Sequence, residues 1–313
     1  MKIIFFGLGS IGQRHARLIL KNFNHSLFAY RSGKQSKPNN LGIKEVHSWR
    51  EVADLSPDAA FITNPSFLHI DTAIKCAEMG MRLFIEKPLC SKLSGLDRLM
   101  RIVKEKKLPA YVAYCLRFHP IIEYLHKYIK NKEGMHARVV VSSYLPAWRK
   151  NQAYFNTYSA RNEQGGGVIL DLSHEIDYSW YLFGDILEMA GISGKISDLK
   201  INTQDYADII MKCRKSIVNV HLNFFSKNIE RKIIIDFPDS NYIEADFIKN
   251  TLLAGKGKTK KIYRYNLGRD DIYVKQLKYF FKNYNNAEMM NNLVEAAELS
   301  KIILGFKESN EKN

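Results

Sequence analysis

Ile3-Ile4-Phe5-Phe6-Gly7-Leu8-Gly9-Ser10-Ile11-Gly12 stands at the start of this 313-residue chain, and its reading decides the fold. A short apolar run of strand character meets a G-x-G-x-x-G, and an amphipathic stretch, Ile11 to Leu20, follows at once. The motif carries meaning only in such a strand-to-helix context. Here Gly7 makes the tight turn, Gly9 admits backbone amides to a pyrophosphate, and Gly12 lets helix and strand pack closely, with the diphosphate at the helix N-terminus. The loop therefore predicts a dinucleotide site made of Gly7, Gly9, Ser10, Ile11 and Gly12.

Working outward, short apolar runs continue to alternate with helical patterns: strands at Ser26 to Tyr30, Ala59 to Ile62, Arg82 to Ile85 and Ala110 to Ala113, and helices at Trp49 to Leu55, Ile70 to Met79 and Leu96 to Lys104. That alternation predicts a parallel sheet with helical crossovers. Beyond Pro120 the style changes. A helix over Ile121 to Lys130 precedes strands at His136 to Tyr144, Leu187 to Gly194, Ala207 to Cys213, Ile217 to Phe224, Lys232 to Phe237 and Tyr242 to Phe247. One helix, Asp171 to Leu182, interrupts them, and helices at Asp271 to Lys282 and Ala287 to Phe306 close the chain. The expected fold class is α/β: an N-terminal Rossmann dinucleotide-binding domain over residues 1–119, then an α+β domain over 120–313 with a large mixed or antiparallel sheet. The second domain is expected to serve substrate binding and oligomerisation, with its last helix packing back on the first.

Composition bounds the function. Apolar residues make up 46% and charged residues 25% of the chain, the balance of a globular protein with a large core. No apolar run approaches the length of a membrane span, and Met1 to Phe6 meets Gly7 before a signal-peptide core develops, so a cytoplasmic protein without a membrane partner is expected. Forty-seven basic against 32 acidic residues leave a net charge of +15, dispersed along the chain. The densest patch, Lys249, Lys256, Lys258, Lys260 and Lys261, flanks a glycine turn and lacks the interleaved aromatics of a stacking platform, which argues against nucleic acid. Cys76, Cys90, Cys115 and Cys213 form no C-x-x-C pair, so neither a disulfide framework nor a metal site is expected.

At the end of the second strand, where a carboxylate would hold the ribose hydroxyls of NAD, the sequence reads Ala29-Tyr30-Arg31-Ser32. An arginine beside a serine suits a 2′-phosphate, which favours NADP over NAD; stacking of Arg31 on the adenine is the alternative.

Glu86-Lys87-Pro88 follows the strand Arg82 to Ile85, at the edge of the sheet where open α/β folds bind ligands. Together with the Gly7 to Gly12 loop, Arg14-His15, Thr63-Asn64-Pro65 with His69, Arg117-Phe118, and Gly165-Gly166-Gly167 followed by Asp171, His174 and Asp177, it resembles the glucose-fructose oxidoreductase / inositol dehydrogenase (Gfo/Idh/MocA) family over residues 1 to about 185. The resemblance implies an NAD(P)-dependent oxidoreductase acting on CH–OH groups. It assigns Lys87 to the substrate hydroxyl and the nicotinamide, and His174 to acid/base work. Asn64, His69, Glu86, Lys87 and Arg117 join the expected cofactor set. The chemistry suits these residue types: hydride transfer at a secondary alcohol needs a group titrating near neutrality, and an ammonium stabilises developing alkoxide charge. Asp171 and Asp177, one turn either side of His174, are candidates to orient the imidazole, cap the helix or touch a substrate hydroxyl. Two departures stand out. Asp171 and His174 are three apart where many members have four, and Cys115 occupies a place often held by asparagine, where it is either a small core residue or a lost contact taken over by Arg117.

Between the strand His136 to Tyr144 and the glycine triplet runs Pro146 to Arg161, without strand or helix period and rich in aromatics and cations. Trp148, Arg149, Tyr158 and Arg161 are its candidate substrate residues, with Asp171 and His174. Plugging an interface is the alternative for this loop. The expected function is hydride transfer to or from a secondary hydroxyl or ketone of a sugar. A sugar nucleotide or acidic sugar in surface-polysaccharide or glycan biosynthesis is favoured, the last by resemblance. A dehydrogenase of a free cyclitol or simple sugar, and a non-catalytic dinucleotide-binding regulator of the same fold, are the competing readings. A homodimer or homotetramer is expected.

Overall fold

The computed structural model describes residues 1–31, 39–149 and 152–311. The chain divides into two compact units, Met1–Tyr114 with Asp270–Lys301, and Cys115–Arg269 with Ile302–Asn313. The sequence places this boundary at Pro120 instead.

In the first unit, β1 (Lys2–Phe6), β2 (Ser26–Tyr30), β3 (Lys44–Val46), β4 (Ala59–Ile62), β5 (Arg82–Glu86) and β6 (Ala110–Ala113) form a six-stranded sheet in the order β3-β2-β1-β4-β5-β6. Every pairing is parallel. Helices α1 (Ser10–Asn22), α2 (Trp49–Leu55), α3 (His69–Glu78) and α4 (Leu96–Glu105) make the crossovers. Strands covered on both faces need continuous apolar runs, and Ala59 to Ile62 are all buried. The order reverses between β1 and β4, so the carboxyl ends of β1, β4 and β5 form the edge that presents Gly7, Thr63 and Glu86.

The second unit opens with α5 (Pro120–Ile129), which a Pro at its first position and the His119 ring, accepting from Ile121 N at 3.2 Å, both start. Next come β7 (Met135–Tyr144), α6 (Val168–Asp171) and α7 (His174–Phe183). The strands β8 (Ile186–Gly194), β9 (Tyr206–Cys213), β10 (Ser216–Asn223), β11 (Phe225–Asp236), β12 (Asn241–Asp246), β13 (Thr251–Lys256) and β14 (Thr259–Arg264) follow. With β7 they build an eight-stranded mixed sheet, β14-β13-β12-β11-β7-β10-β9-β8. Only β7–β10 is parallel. Strict alternation in β9 and β10 buries Ile209, Met211, Val218 and Val220 on one face. Helix α8 (Asp271–Asn283) returns the chain to the first unit, where Phe280 meets Phe61 and Phe84 edge-on at 5.6 and 5.3 Å. Helix α9 (Leu293–Glu311) completes the chain.

Several elements differ from the sequence reading, which has no strand at β3, Lys44–Val46. The helix expected from Asp171 to Leu182 is broken at Leu172 and Ser173, so His174 begins a helix of its own. β11 starts at Phe225, ahead of the expected Lys232, and its pairing with β7 shifts register between Phe225 and Glu230. The lysine-rich segment does turn at Gly257 and is exposed, but the strands on either side of it, β13 and β14, are absent from the sequence reading; they pair as a hairpin whose lysines blunt the sheet's outermost strand. Helix α9 starts at Leu293 because the Asn292 carboxamide oxygen caps it, accepting from Val294 N at 2.9 Å and Glu295 N at 3.1 Å. Among the described residues no helix is long and apolar enough to cross a membrane.

Candidate active site

In the first unit the phosphate loop is shaped by what its glycines avoid. Gly7 has φ +108°, and a Cβ on it would stand 2.6 Å from Asn64 N. A Cβ on Gly12 would strike the Gly7 carbonyl, whereas one on Gly9 meets nothing within 4 Å. The outer glycines thus allow α1 to close on the end of β4, while the face at Gly9 stays open at the N-terminus of α1, flanked by exposed Ser10 and half-buried Ile11. A pyrophosphate fits that opening. Thr63 Oγ1 fixes the loop by donating to Gly7 O at 2.6 Å. Nearby, Asn64 Nδ2 donates to Thr72 Oγ1 at 3.0 Å, and Asn64 Oδ1 is a buried acceptor without a hydrogen-bond partner, available to a ligand donor.

Glu86 and His69, expected at the cofactor, are committed to the protein. Glu86 Oε1 meets the fully buried His15 Nε2 at 2.6 Å, and Glu86 Oε2 accepts from Lys87 N at 3.2 Å. His69 is 1% exposed, with Nδ1 at 2.9 Å from Pro88 O and Nε2 at 2.9 Å from Asn64 O. A neutral ring donates to one of these carbonyls, and burial keeps it neutral by lowering its pKa. Both side chains therefore tie the loop around Asn64, and the helix behind the phosphate loop, to the strand end carrying Lys87.

Arg31 closes β2 with Nη1 3.3 Å from Glu45 Oε1 on β3. Glu45 also accepts from Asn39 Nδ2 at 2.7 Å, and that bond, with the Arg31 charge, holds its carboxyl below the usual range. The acid missing from the end of β2 is thus supplied by the neighbouring edge strand, a partner that only pairing reveals. Ser32 lies outside the described residues.

In the second unit, His174, 9% exposed, begins α7 with its Nε2 4.0 Å from Cys115 Sγ. Two buried acids of the same helix are each gripped by an arginine fork. Arg117 donates to Asp177 from Nε at 3.1 Å and Nη2 at 2.7 Å, and lies 4.7 Å over the Tyr181 ring. Arg231 donates to Glu175 from Nε at 2.8 Å and Nη2 at 3.2 Å. Asp177 is therefore anchored by Arg117, a residue expected at the cofactor, within the second unit. Sequence reading missed Glu175 and Arg231. The signal was present: Arg231 shares its face of β11 with Ile233 and Ile235, both fully buried, so a charge stands where an apolar residue is due.

The loop after β7 is a chain of 3₁₀ turns, Leu145–Ala147, Tyr154–Asn156, Tyr158–Ala160 and Asn162–Gln164. Trp148 packs edge-on against Phe224 at 5.0 Å, and Arg149 lies 5.3 Å over the Tyr158 ring. The Tyr158 phenol donates to Asp171; burial and that carboxylate together push its pKa up. Arg149, Tyr158 and Asp171 are thus brought together by contact, while Trp148 packs on Phe224, and Asp171 on α6 is separated from His174 by the break. Arg161 is half-buried, and its carbonyl accepts from Gly166 N at 3.0 Å.

Comparison with known proteins bears on the family and the fold. Residues 1–114 match the Gfo/Idh/MocA family, described as an oxidoreductase family with an NAD-binding Rossmann fold. The chain is 22% identical to myo-inositol 2-dehydrogenase of Thermotoga maritima over 92% of its own length and 89% of that protein. A levoglucosan dehydrogenase solved with NADH superposes with a TM-score of 0.85 at 15% identity, covering 100% of this chain and 97% of that one. UDP-N-acetylglucosamine 3-dehydrogenase from Acidithiobacillus ferrooxidans gives 0.79 at 18% identity, covering 100% and 98%. At such identities the two structures speak to the fold alone.

Proposed function

Since this chain belongs to the Gfo/Idh/MocA oxidoreductases, an NAD-binding family, we propose that it transfers a hydride between a nicotinamide dinucleotide and a secondary hydroxyl or ketone of an anionic sugar, a sugar nucleotide or sugar acid used in glycan or surface-polysaccharide biosynthesis. The observation that carries the anionic preference is Arg149 stacked on Tyr158, whose phenol reaches Asp171. A guanidinium held on an aromatic face next to a fixed carboxylate presents charge and ring together, the pair that recognises an acidic group on a sugar.

The bound nicotinamide ring would accept or supply the hydride. The protein's part is positional and electrostatic. Gly7, Gly9, Ser10, Ile11 and Gly12 hold the diphosphate, and Asn64 offers its unpaired oxygen to a ligand donor. Lys87 polarises the substrate oxygen and stabilises alkoxide charge, and His174 carries the proton that leaves or joins that oxygen. Arg31 receives the 2′-phosphate of NADP, against the opposing charge of Glu45, so both NAD and NADP are accommodated. The uncovered face of the eight-stranded sheet exposes Ile192, Ile210, Ile217 and Ile262, which supports a homo-oligomer closed on that face.

Presenting sugar nucleotides, sugar acids and neutral sugars to the purified protein with either oxidised cofactor, and following the reduced nicotinamide absorbance, tests this reading. Anionic sugars should turn over fastest. A neutral cyclitol turned over equally well would move the assignment to the free-sugar alternative, in line with the activity named for the Thermotoga maritima relative.

A further inference from the structure

Glu175 is fully buried one residue after His174, and among the described residues its carboxylate meets a single cation, Arg231 of β11, through two parallel hydrogen bonds. Arg231 is 25% exposed at its side chain. It occupies the inward register of β11, opposite Val141, immediately after the irregularity at Phe225 to Glu230. An extra length of strand at such a place re-aims the side chains that follow it. The result is a guanidinium directed at the first turn of a helix, where an isoleucine would otherwise complete the row with Ile233 and Ile235.

We propose that Arg231 is a positioning residue for His174: by clamping Glu175 it fixes the first turn of α7 and cancels a buried charge one residue along the helix from His174, so that the ring keeps both its rotation and its proton affinity. This rests on the reading of His174 as the acid/base. Among the described residues, the titratable and charged groups on the elements that meet the first turn of α7 include Cys115 and Arg117 from the turn at Cys115–Phe118, Asp171 from α6 with Tyr158 bonded to it, Glu175, Asp177 and Tyr178 from α7 itself, and Arg231 from β11. Arg117 and Asp177 neutralise one another. Asp171 keeps its charge in every variant, so cutting the second pair from either side changes the net charge on these elements by one, in opposite directions in the two cases. Desolvation opposes the charge of Arg231, but Glu175, with Tyr178 and Cys115, raises its pKa overall, so the guanidinium stays charged throughout.

The test is a titration of the His174 ring by NMR on ligand-free protein labelled at histidine, with the signal assigned by its loss in His174→Asn. Arg231→Met should raise the His174 midpoint by about one pH unit, and Glu175→Gln should lower it by a similar amount. Arg231→Lys, which keeps the charge and loses the fork, should stay near the wild-type midpoint. A clamp with a merely structural role would lower the melting temperature without moving midpoints in opposite directions. Midpoints unchanged in both folded variants, or shifted the same way, overturn the proposal; if Arg231→Met does not fold, Glu175→Gln against Arg231→Lys decides alone. The readout needs no substrate, so it is separable from the acid/base reading, which fails instead if His174→Asn retains turnover.

Discussion

His15 Nε2 and Glu86 Oε1 lie 2.6 Å apart in the interior of the first unit, joining the helix behind the phosphate loop to the residue before Lys87. Both belong to the motifs that carry the family resemblance, and neither faces outward. Their bond turns two separate sequence signals into one rigid piece.

Replacing His15 by Ala removes that partner and leaves the Glu86 carboxylate buried with the Lys87 amide as its remaining hydrogen bond. The unfolding free energy in denaturant should fall by about 1–3 kcal/mol, the cost of an unsatisfied buried group, and Glu86→Gln should cost less because the amide can still accept from one side. An unchanged denaturation midpoint in His15→Ala would show that the pair does not hold the strand end.

Cofactor choice should follow the Arg31–Glu45 pair. Arg31→Ala is expected to weaken NADPH binding about tenfold or more with little effect on NADH, and Glu45→Gln, by releasing the guanidinium, to strengthen NADPH. Fluorescence titration of both cofactors checks this, and equal losses for the two in Arg31→Ala would remove the 2′-phosphate role.

Arg149→Ala should weaken binding of an anionic sugar by ~1.5–3 kcal/mol and make it less salt-dependent, while cofactor affinity holds. Tyr158→Phe, which deletes one donor to Asp171, should cost about 1 kcal/mol of stability. If these changes shift the oligomer distribution in light scattering and spare substrate affinity, the loop seals an interface and the anionic reading falls.

Acid should loosen the first unit through His69. Its pKa is lowered in the folded state by burial, so below the ordinary histidine value of about 6.5 the unfolded chain binds a proton that the native ring resists. Stability is therefore complete above that pH and declines as pH falls beneath it. His25 and His126 are shifted in the same direction, also by burial, so His69→Gln should flatten the decline in part. A denaturation midpoint as steep in pH for His69→Gln as for the wild type would acquit this residue.

Most of the fold was legible because it rests on local periodicity. The apolar runs of β1 and β5, buried after their first residue, the all-buried β4 and β6, and the glycine spacing admit few alternatives, and the structure sets the ends of β2, β4, α2 and β6 where the sequence does. What was not legible depends on pairing. β14, Thr259 to Arg264, is mostly exposed and reads as a charged turn until it is seen beside β13. Glu45 joins Arg31 only because β3 pairs with β2. Among the site residues, the roles of Glu86, His69 and Arg117 as internal ties could not be read from sequence, since a motif marks a place in the chain and says nothing about which way its side chains turn. Arg231 can be flagged by its register with Ile233 and Ile235, but its pairing with Glu175, 56 residues away, cannot.

Catalytic turnover at a sugar carbon depends on Lys87 more directly than on any other residue of the proposed site. With the best substrate of the panel, product mass and cofactor reduction should be measured together for the wild type and Lys87→Met. One nicotinamide should be reduced for each sugar that loses two hydrogens, and turnover should fall ~10²- to 10⁴-fold in Lys87→Met with cofactor binding retained. Tight cofactor binding with no sugar oxidised or reduced by the wild type, or wild-type turnover in Lys87→Met, would contradict it.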